Sequence, residues 1–254
     1  EDQRLKIGAL TTHRQLERSE LIRERFGALA DAVQNLGSVQ NRNVATIGGN
    51  ICNAAPSADT APPLLVHEAE VTMEGPKGRR SMALEEFFLG PGKTALGPEE
   101  VLLEFSLPWP SDGAASAYWK HSRRQAMDLP ILGVAMYLEA ELKEAGPLGE
   151  AFAQGAPLEE LLEALDRSEI YCKEVRLALG VAAPTPMRAK GAEAVLKGKR
   201  LSTEGLLEMG QVASEEAQPR DTVRGAAWYR REMIRVLPKR LALFCLKRIM
   251  GRKG

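Results

Sequence analysis

Residues 42–60 read Arg-Asn-Val-Ala-Thr-Ile-Gly-Gly-Asn-Ile-Cys-Asn-Ala-Ala-Pro-Ser-Ala-Asp-Thr. With the preceding residues from Ser38 they form a small, polar segment rich in Gly, Ala, Ser and Asn. It is too long for a simple turn and too patterned for a linker. Long irregular segments inside compact domains are often functional, and the expectation for 38–60 is irregular backbone of that kind. Its centre is Thr46-Ile47-Gly48-Gly49-Asn50. Adjacent glycines lack Cβ, so this backbone can take φ > 0 and approach a ligand closely. Successive N–H groups there can converge into an anion-binding nest, with Thr46 and Asn50 as side-chain donors at its rim. A diphosphate suits such a site. The competing reading is a tight turn where two backbones cross, since a Gly-Gly pair is neither GxGxxG nor a P-loop. Asp59 is open to two roles, helix N-cap before Ala61-Pro62 or acceptor for a ribose or ribityl hydroxyl.

Outward from this stretch, residues 5–12 alternate as a strand running into a helix start at Thr11-Thr12. Residues 13–36 have helical spacing, with a break near Phe26-Gly27 and a stop at Gly37. Downstream, a short helix over 61–68 precedes strands at 69–74 and 79–83, joined at Gly75-Pro76-Lys77-Gly78. A Gly/Pro loop at 90–94 leads to a strand over 100–107. Residues 111–114 read as a boundary. Beyond it come three antiparallel strands, at 116–122, 131–142 and 174–180, with an Ala/Leu/Glu-rich helical insert over 143–166. Helices follow at 186–196, 202–217 and 226–250. Strands and helices mix without βαβ alternation, which implies an α+β chain of two subdomains.

The chain has 254 residues, 34 Lys plus Arg against 34 Asp plus Glu, and so no net charge. A neutral chain has no global field to gather nucleic acid. No apolar run approaches a membrane span; the best, 241–250, is broken by Lys247 and Arg248. Three separated cysteines, Cys52, Cys172 and Cys245, argue against a disulfide framework and suit a reducing cytoplasm. With no CxxC or HxxxH pair, a protein-built metal site is not expected. The chain begins at Glu1 with no signal-peptide pattern, as a processed or trimmed piece would. Lys120, after Tyr118 and Trp119 on a strand, is either a solvated edge lysine or a cation for an anionic ring or phosphate. Asp128 either pairs with a neighbouring arginine or caps a turn. The basic stretch 229–253 has apolar residues at helical spacing. It reads as a helix packed on the sheet or docking a partner, with a membrane-surface helix as a further reading.

Segments 42–65, 85–108, 118–135, 175–193 and 228–240, taken in order, resemble the flavin-binding medium subunit of the molybdenum hydroxylases. That family includes the carbon monoxide dehydrogenase medium subunit and the FAD portion of xanthine dehydrogenases. The resemblance implies a PCMH-type FAD-binding domain over 1–112, with its N-terminal part missing. A small C-terminal domain with a three-stranded antiparallel sheet and helices follows over 113–225, then a basic helical tail over 226–254. It implies non-covalent FAD, with Thr46, Ile47, Gly48, Gly49 and Asn50 at the diphosphate and Asp59 as the acidic contact. Leu36 and Leu102 would pack around the cofactor, Lys120 would stand near the isoalloxazine, and Asp128 and Leu129 would face the flavin edge. No catalytic residue and no metal ligand is implied on this chain. Molybdopterin and [2Fe–2S] clusters would sit on a large and a small partner subunit. Electrons would leave through FAD to NAD⁺, oxygen or a quinone-linked acceptor. The family's first FAD loop, a Gly-rich AGGTD-like segment, is absent ahead of Leu5. That leaves a flavin-free docking or assembly subunit as the alternative. The 143–166 insert is longer than the usual connection and lacks cysteine, so a further [4Fe–4S] cluster is not expected.

Overall fold

The computed structural model describes residues 4–124 and 126–252. Lys253, counted above in the basic stretch, lies outside the described residues. The N-terminal half runs β1 (Arg4–Gly8), α1 (His13–Arg18), α2 (Glu20–Arg25), α3 (Gly27–Gln34), α4 (Val39–Val44), α5 (Ile47–Cys52), α6 (Ala61–Val66), β2 (Glu70–Gly75), β3 (Gly78–Ala83), α7 (Leu84–Phe87), β4 (Phe88–Gly90), β5 (Lys93–Thr94) and β6 (Val101–Pro108). The C-terminal half runs β7 (Ala114–His121), β8 (Leu132–Glu144), α8 (Gly146–Gln154), α9 (Leu158–Asp166), β9 (Glu169–Gly180), β10 (Met187–Arg188), α10 (Lys190–Leu196), α11 (Thr203–Glu216) and α12 (Ala227–Gly251).

The helical stretch 13–36 breaks twice. Thr12 caps α1 in a reciprocal box with Gln15, and Ser19 ends α1 and caps α2 by accepting the Ile22 amide. The second break is the expected one, at Phe26. Gly37 takes φ +53 in the turn that follows, a conformation that favours glycine. The expectation of irregular backbone over 38–60 is corrected, because the segment holds α4 and α5. Ser38 and Thr46 supply their N-caps, accepting the Asn41 and Gly49 amides. Composition alone argues against helix here. Local caps and tertiary anchoring supply what propensity does not.

Two antiparallel sheets organise the molecule. One has the order β1-β6-β2-β3 and the other β10-β9-β8-β7, with a small β4-β5 ribbon besides. The second sheet is the expected three-stranded one with a two-residue strand, β10, added on the β9 edge. Its faces explain the near-continuous apolar run of β8. Leu132, Val134, Met136 and Leu138 join a core built with α10, α11 and α12. Ala135 and Tyr137, pointing the other way, join the core built by the first sheet, α3 and α6. A strand with both faces covered loses the alternation of a half-exposed one. The same division holds on β7, where Ala115 and Ala117 face α12, and Ala114 and Tyr118 face the N-terminal core. Arg248 of α12 crosses this seam and holds the Asp31 carboxylate of α3 at 2.7 and 2.9 Å.

Candidate functional site

The site begins at the N-terminus of α5. Thr46 is the N-cap, with φ −107 and ψ 156, and Gly48 and Gly49 lie inside the helix, so neither adopts positive φ. The positive-φ nest expected at Thr46–Asn50 is therefore corrected. Its amides are also engaged. Ile47 donates to Thr11 O at 3.0 Å and Gly48 to Ala9 O at 2.9 Å, while Gly49 donates to Thr46 Oγ1 at 3.1 Å. The turn after β1 thus takes two of the donors that an anion would otherwise meet.

The two glycines serve different ends. A Cβ on Gly48 would stand 2.6 Å from Ala9 O and 2.8 Å from Ala9 Cβ, so this is the place where two backbones cross. Gly49 is exposed, and a Cβ there would meet only Thr46 Oγ1, at 3.1 Å. Beside it, Asn50 Oδ1 accepts the Thr60 hydroxyl at 2.6 Å. The Thr46 hydroxyl accepts from Gly49 and retains its own proton to donate. The Asn50 side chain retains its NH₂, which makes no hydrogen bond among the described residues. Two side-chain donors, an open glycine flank and the positive end of a helix therefore sit together.

Thr60 links this end to a buried ion pair. Asp59 does not cap α6. Thr60 occupies that position, and the Asp59 carboxylate instead accepts the Tyr118 hydroxyl at 2.8 Å and the Lys120 ammonium at 2.8 Å. Both members of the ion pair are buried, which overturns the solvated edge lysine. As a cation for an anionic ring or phosphate, Lys120 would act with Asp59 already opposing its charge. Lys120 also donates to Asn35 O at 3.0 Å, next to Leu36. Burial pushes the Asp59 carboxyl above its ordinary value, while the Lys120 ammonium and the Tyr118 hydroxyl pull it back. The Tyr118 hydroxyl is held well above its ordinary value by burial and then by the Asp59 charge.

The remaining expected residues lie around this line. Leu36 and Leu102 are half-buried. The Leu36 carbonyl accepts from Arg42, which also pairs with Glu17. Leu102 lies on β6, whose Leu103 carbonyl accepts the Ala9 amide beside Gly48. Asp128 satisfies both of its expected roles. It caps its own loop through the Arg124 and Leu129 amides and stands 3.8 Å from the Arg124 guanidinium. Leu129 is partly exposed on the same loop, whose anchoring bonds run from Arg123 to the carbonyls of Val223 and Arg224. The hydrogen bonds thus bring Thr46, Gly49, Asn50, Asp59 and Lys120 together and leave Asp128 and Leu129 outside the cluster.

Sequence reasoning missed Asn35, Thr60 and Tyr118. Strand alternation places Tyr118 and Lys120 on one face of β7, which was a readable signal for Tyr118. The Asn35 carbonyl had none. Among the described residues no group of three or more His, Cys, Asp or Glu side chains converges as a metal site. No helix among the described residues is long and apolar enough to cross a membrane.

Residues 1–110 match the family described as the FAD binding domain in molybdopterin dehydrogenase. Residues 117–244 match the CO dehydrogenase flavoprotein C-terminal domain. The xanthine dehydrogenase FAD-binding subunit of Escherichia coli O157:H7 is 33% identical over 242 residues, covering 95% of this chain and 74% of that protein. The carbon monoxide dehydrogenase medium chain of Hydrogenophaga pseudoflava is 29% identical over 234 residues, covering 92% of this chain and 72% of that one. The solved structure of carbon monoxide dehydrogenase from Hydrogenophaga pseudoflava superposes with a TM-score of 0.81 at 30% identity, over 99% of this chain and 77% of the matched chain.

Proposed function

Because the chain belongs to the family of FAD-binding subunits of molybdopterin dehydrogenases, with the CO dehydrogenase flavoprotein domain after the FAD-binding one, we propose that it carries FAD non-covalently as the electron-exit subunit of a molybdenum hydroxylase-type complex. FAD, when bound, supplies reversible acceptance and release of electrons. Thr46 Oγ and Asn50 Nδ2 would donate to the diphosphate across the open flank of Gly49. Leu36 and Leu102 would supply apolar walls, and Asp128 and Leu129 would border the flavin edge. The Asp59–Lys120 pair would form the floor. A paired lysine places a smaller field on a flavin than a free one, so its role here is to fix the shape and polarity of the floor.

The reading extends to partners. Electrons would arrive from [2Fe–2S] clusters on a small subunit, after oxidation of the substrate on a molybdopterin-binding large subunit. They would leave to NAD⁺, oxygen or a quinone-linked acceptor, in the cytoplasm. Co-purification of this chain with an iron–sulfur and a molybdopterin protein tests the assembly.

The observation that carries the proposal is the contrast between the glycines, one filled by its own chain and the other open beside two unused donors. Gly49→Val fills the open flank. The expected outcome is a folded protein that loses the flavin absorbance near ~450 nm. Wild-type flavin stoichiometry in that variant would remove the diphosphate from this place. One observation favours the flavin-free docking subunit instead, namely that the Ile47, Gly48 and Gly49 amides are all taken up internally. Wild-type protein that folds, joins its partners and carries no flavin absorbance would establish that alternative.

A further inference from the structure

A cavity of about 630 Å³ opens along the edge strand β7, between that strand, the end of α3, α12 and the helical insert α8–α9. Its wall is aromatic. Trp119 is 43% exposed and Phe244 46%, and both face into it together with Phe152 of the insert. Exposed rings that share one concavity are a binding feature, unlike scattered ones.

The charges at the cavity are unbalanced. Asp31 is its one acidic wall residue, and that carboxylate is already held by Arg248 and by the Tyr118 amide. Lys120, at the edge, is spent on Asp59 and Asn35 O. Arg240 and Lys247 have no carboxylate within 4.0 Å among the described residues, although Lys247 stands 6.0 Å over the Phe152 ring. On α12 these two cations are seven residues apart, about 10 Å along the axis, with Phe244 between them on the same face. The helix thus presents cation, ring and cation to a space walled by a second and a third ring. Ring faces that stack, and guanidinium and ammonium groups without partners, select a flat apolar body bearing negative charge.

We propose that this cavity binds an aromatic anion of aryl-carboxylate type, with its ring among Trp119, Phe152 and Phe244 and its charge on Arg240 and Lys247. The cavity borders the α5 site through Asn35, Tyr118 and Lys120, but the ring and charge contacts proposed here use none of these three, and the proposal does not depend on FAD being bound.

The test uses 2-naphthoate as the probe. Of the three tryptophans, Trp109 and Trp228 lie outside the cavity lining, so Trp109→Phe/Trp228→Phe leaves Trp119 as the reporter in the full chain. Saturable quenching by 2-naphthoate is expected, at least roughly tenfold weaker for the neutral 2-naphthalenemethanol. Arg240→Gln/Lys247→Gln in the reporter background should weaken naphthoate by about the same factor and leave the alcohol unchanged. Ala156→Trp, which fills the cavity and leaves both cations in place, should abolish binding of either; its readout is calorimetry, because it adds an indole. Absence of saturable binding, equal affinity for acid and alcohol, or unchanged affinity in the Gln variants would each overturn the proposal. So would loss of bound FAD on adding naphthoate, which would make the cavity part of the flavin site.

Discussion

Gly48 and Gly49 are neighbours in the chain with opposite surroundings, and substitutions separate their roles. Gly48→Ala drives a methyl into the Ala9 carbonyl at 2.6 Å, where backbone must move. The expected loss is about 1–3 kcal/mol, the usual range for overpacking, read as a lower urea midpoint. Asp59 and Lys120 test differently, because they are buried as a pair at 2.8 Å. Removing either partner alone, by Asp59→Asn or Lys120→Met, leaves an uncompensated buried group and should cost about 3–5 kcal/mol. The double variant should recover most of that loss, which a double-mutant cycle in urea measures as coupling. Additive losses would mean that the pair is not the unit described here. At this level Thr46, Asn50 and Asp59 were readable as polar residues around a glycine pair. The partner of Asp59 was not readable, because Lys120 comes from a strand in the other half of the chain.

At the level of the element, α5 is too short to be stable alone and exists by capping and anchorage. Thr46→Ala removes the acceptor of the Gly49 amide and should cost about 1 kcal/mol, with Thr46→Ser restoring most of it. The same substitution removes a proposed diphosphate donor, so FAD retention should fall further than the stability loss alone accounts for. Flavin content measured well below the unfolding transition separates the two effects. The helices α11 and α12 were legible from buried residues at helical spacing, the strands β2, β6, β7 and β8 from apolar runs of strand length bounded by turn residues, and the exposed β3 from the hairpin turn that precedes it. The helices α4 and α5 were not, since their sequence carries turn formers and glycine. The two-residue β10 is too short to leave any periodic signal.

For the whole molecule, the seam between the two halves contains a histidine that acid should expose. His67 is buried beside Phe26 and Tyr137, with Nε2 2.9 Å from Ser116 Oγ, which also accepts the Ala28 amide. Burial, with the nearby Arg176 charge, lowers its pKa from 6.5 to about 3. The folded protein therefore keeps the ring neutral where the unfolded chain takes a proton. Stability is fully present above pH 6.5 and falls as pH drops from there toward 3. The loss from this group is about 2 kcal/mol by pH 5. His13, lowered to about 4 by burial and the Arg42 charge, acts in the same direction. Urea midpoints at pH 8, 6 and 5 should fall in that order, and His67→Asn should flatten the slope by one proton. An unchanged slope would mean that the seam opens to water before the ring titrates.

Periodicity and punctuation in the chain were enough for the α+β class, the order of most elements, the helical insert and the polar glycine segment. Ordered motifs were enough for the family. These are local properties, carried by residues a few positions apart. The folded chain alone settled that the glycine pair is helical, that its amides are taken up by the turn after β1 and by the Thr46 hydroxyl, that Asp59 and Lys120 cancel one another, and that a cavity with aromatic rings in its wall lies along β7. Each of those depends on which groups meet across long stretches of sequence, and in a buried setting hydrogen-bond and charge partners decide what a side chain is free to do.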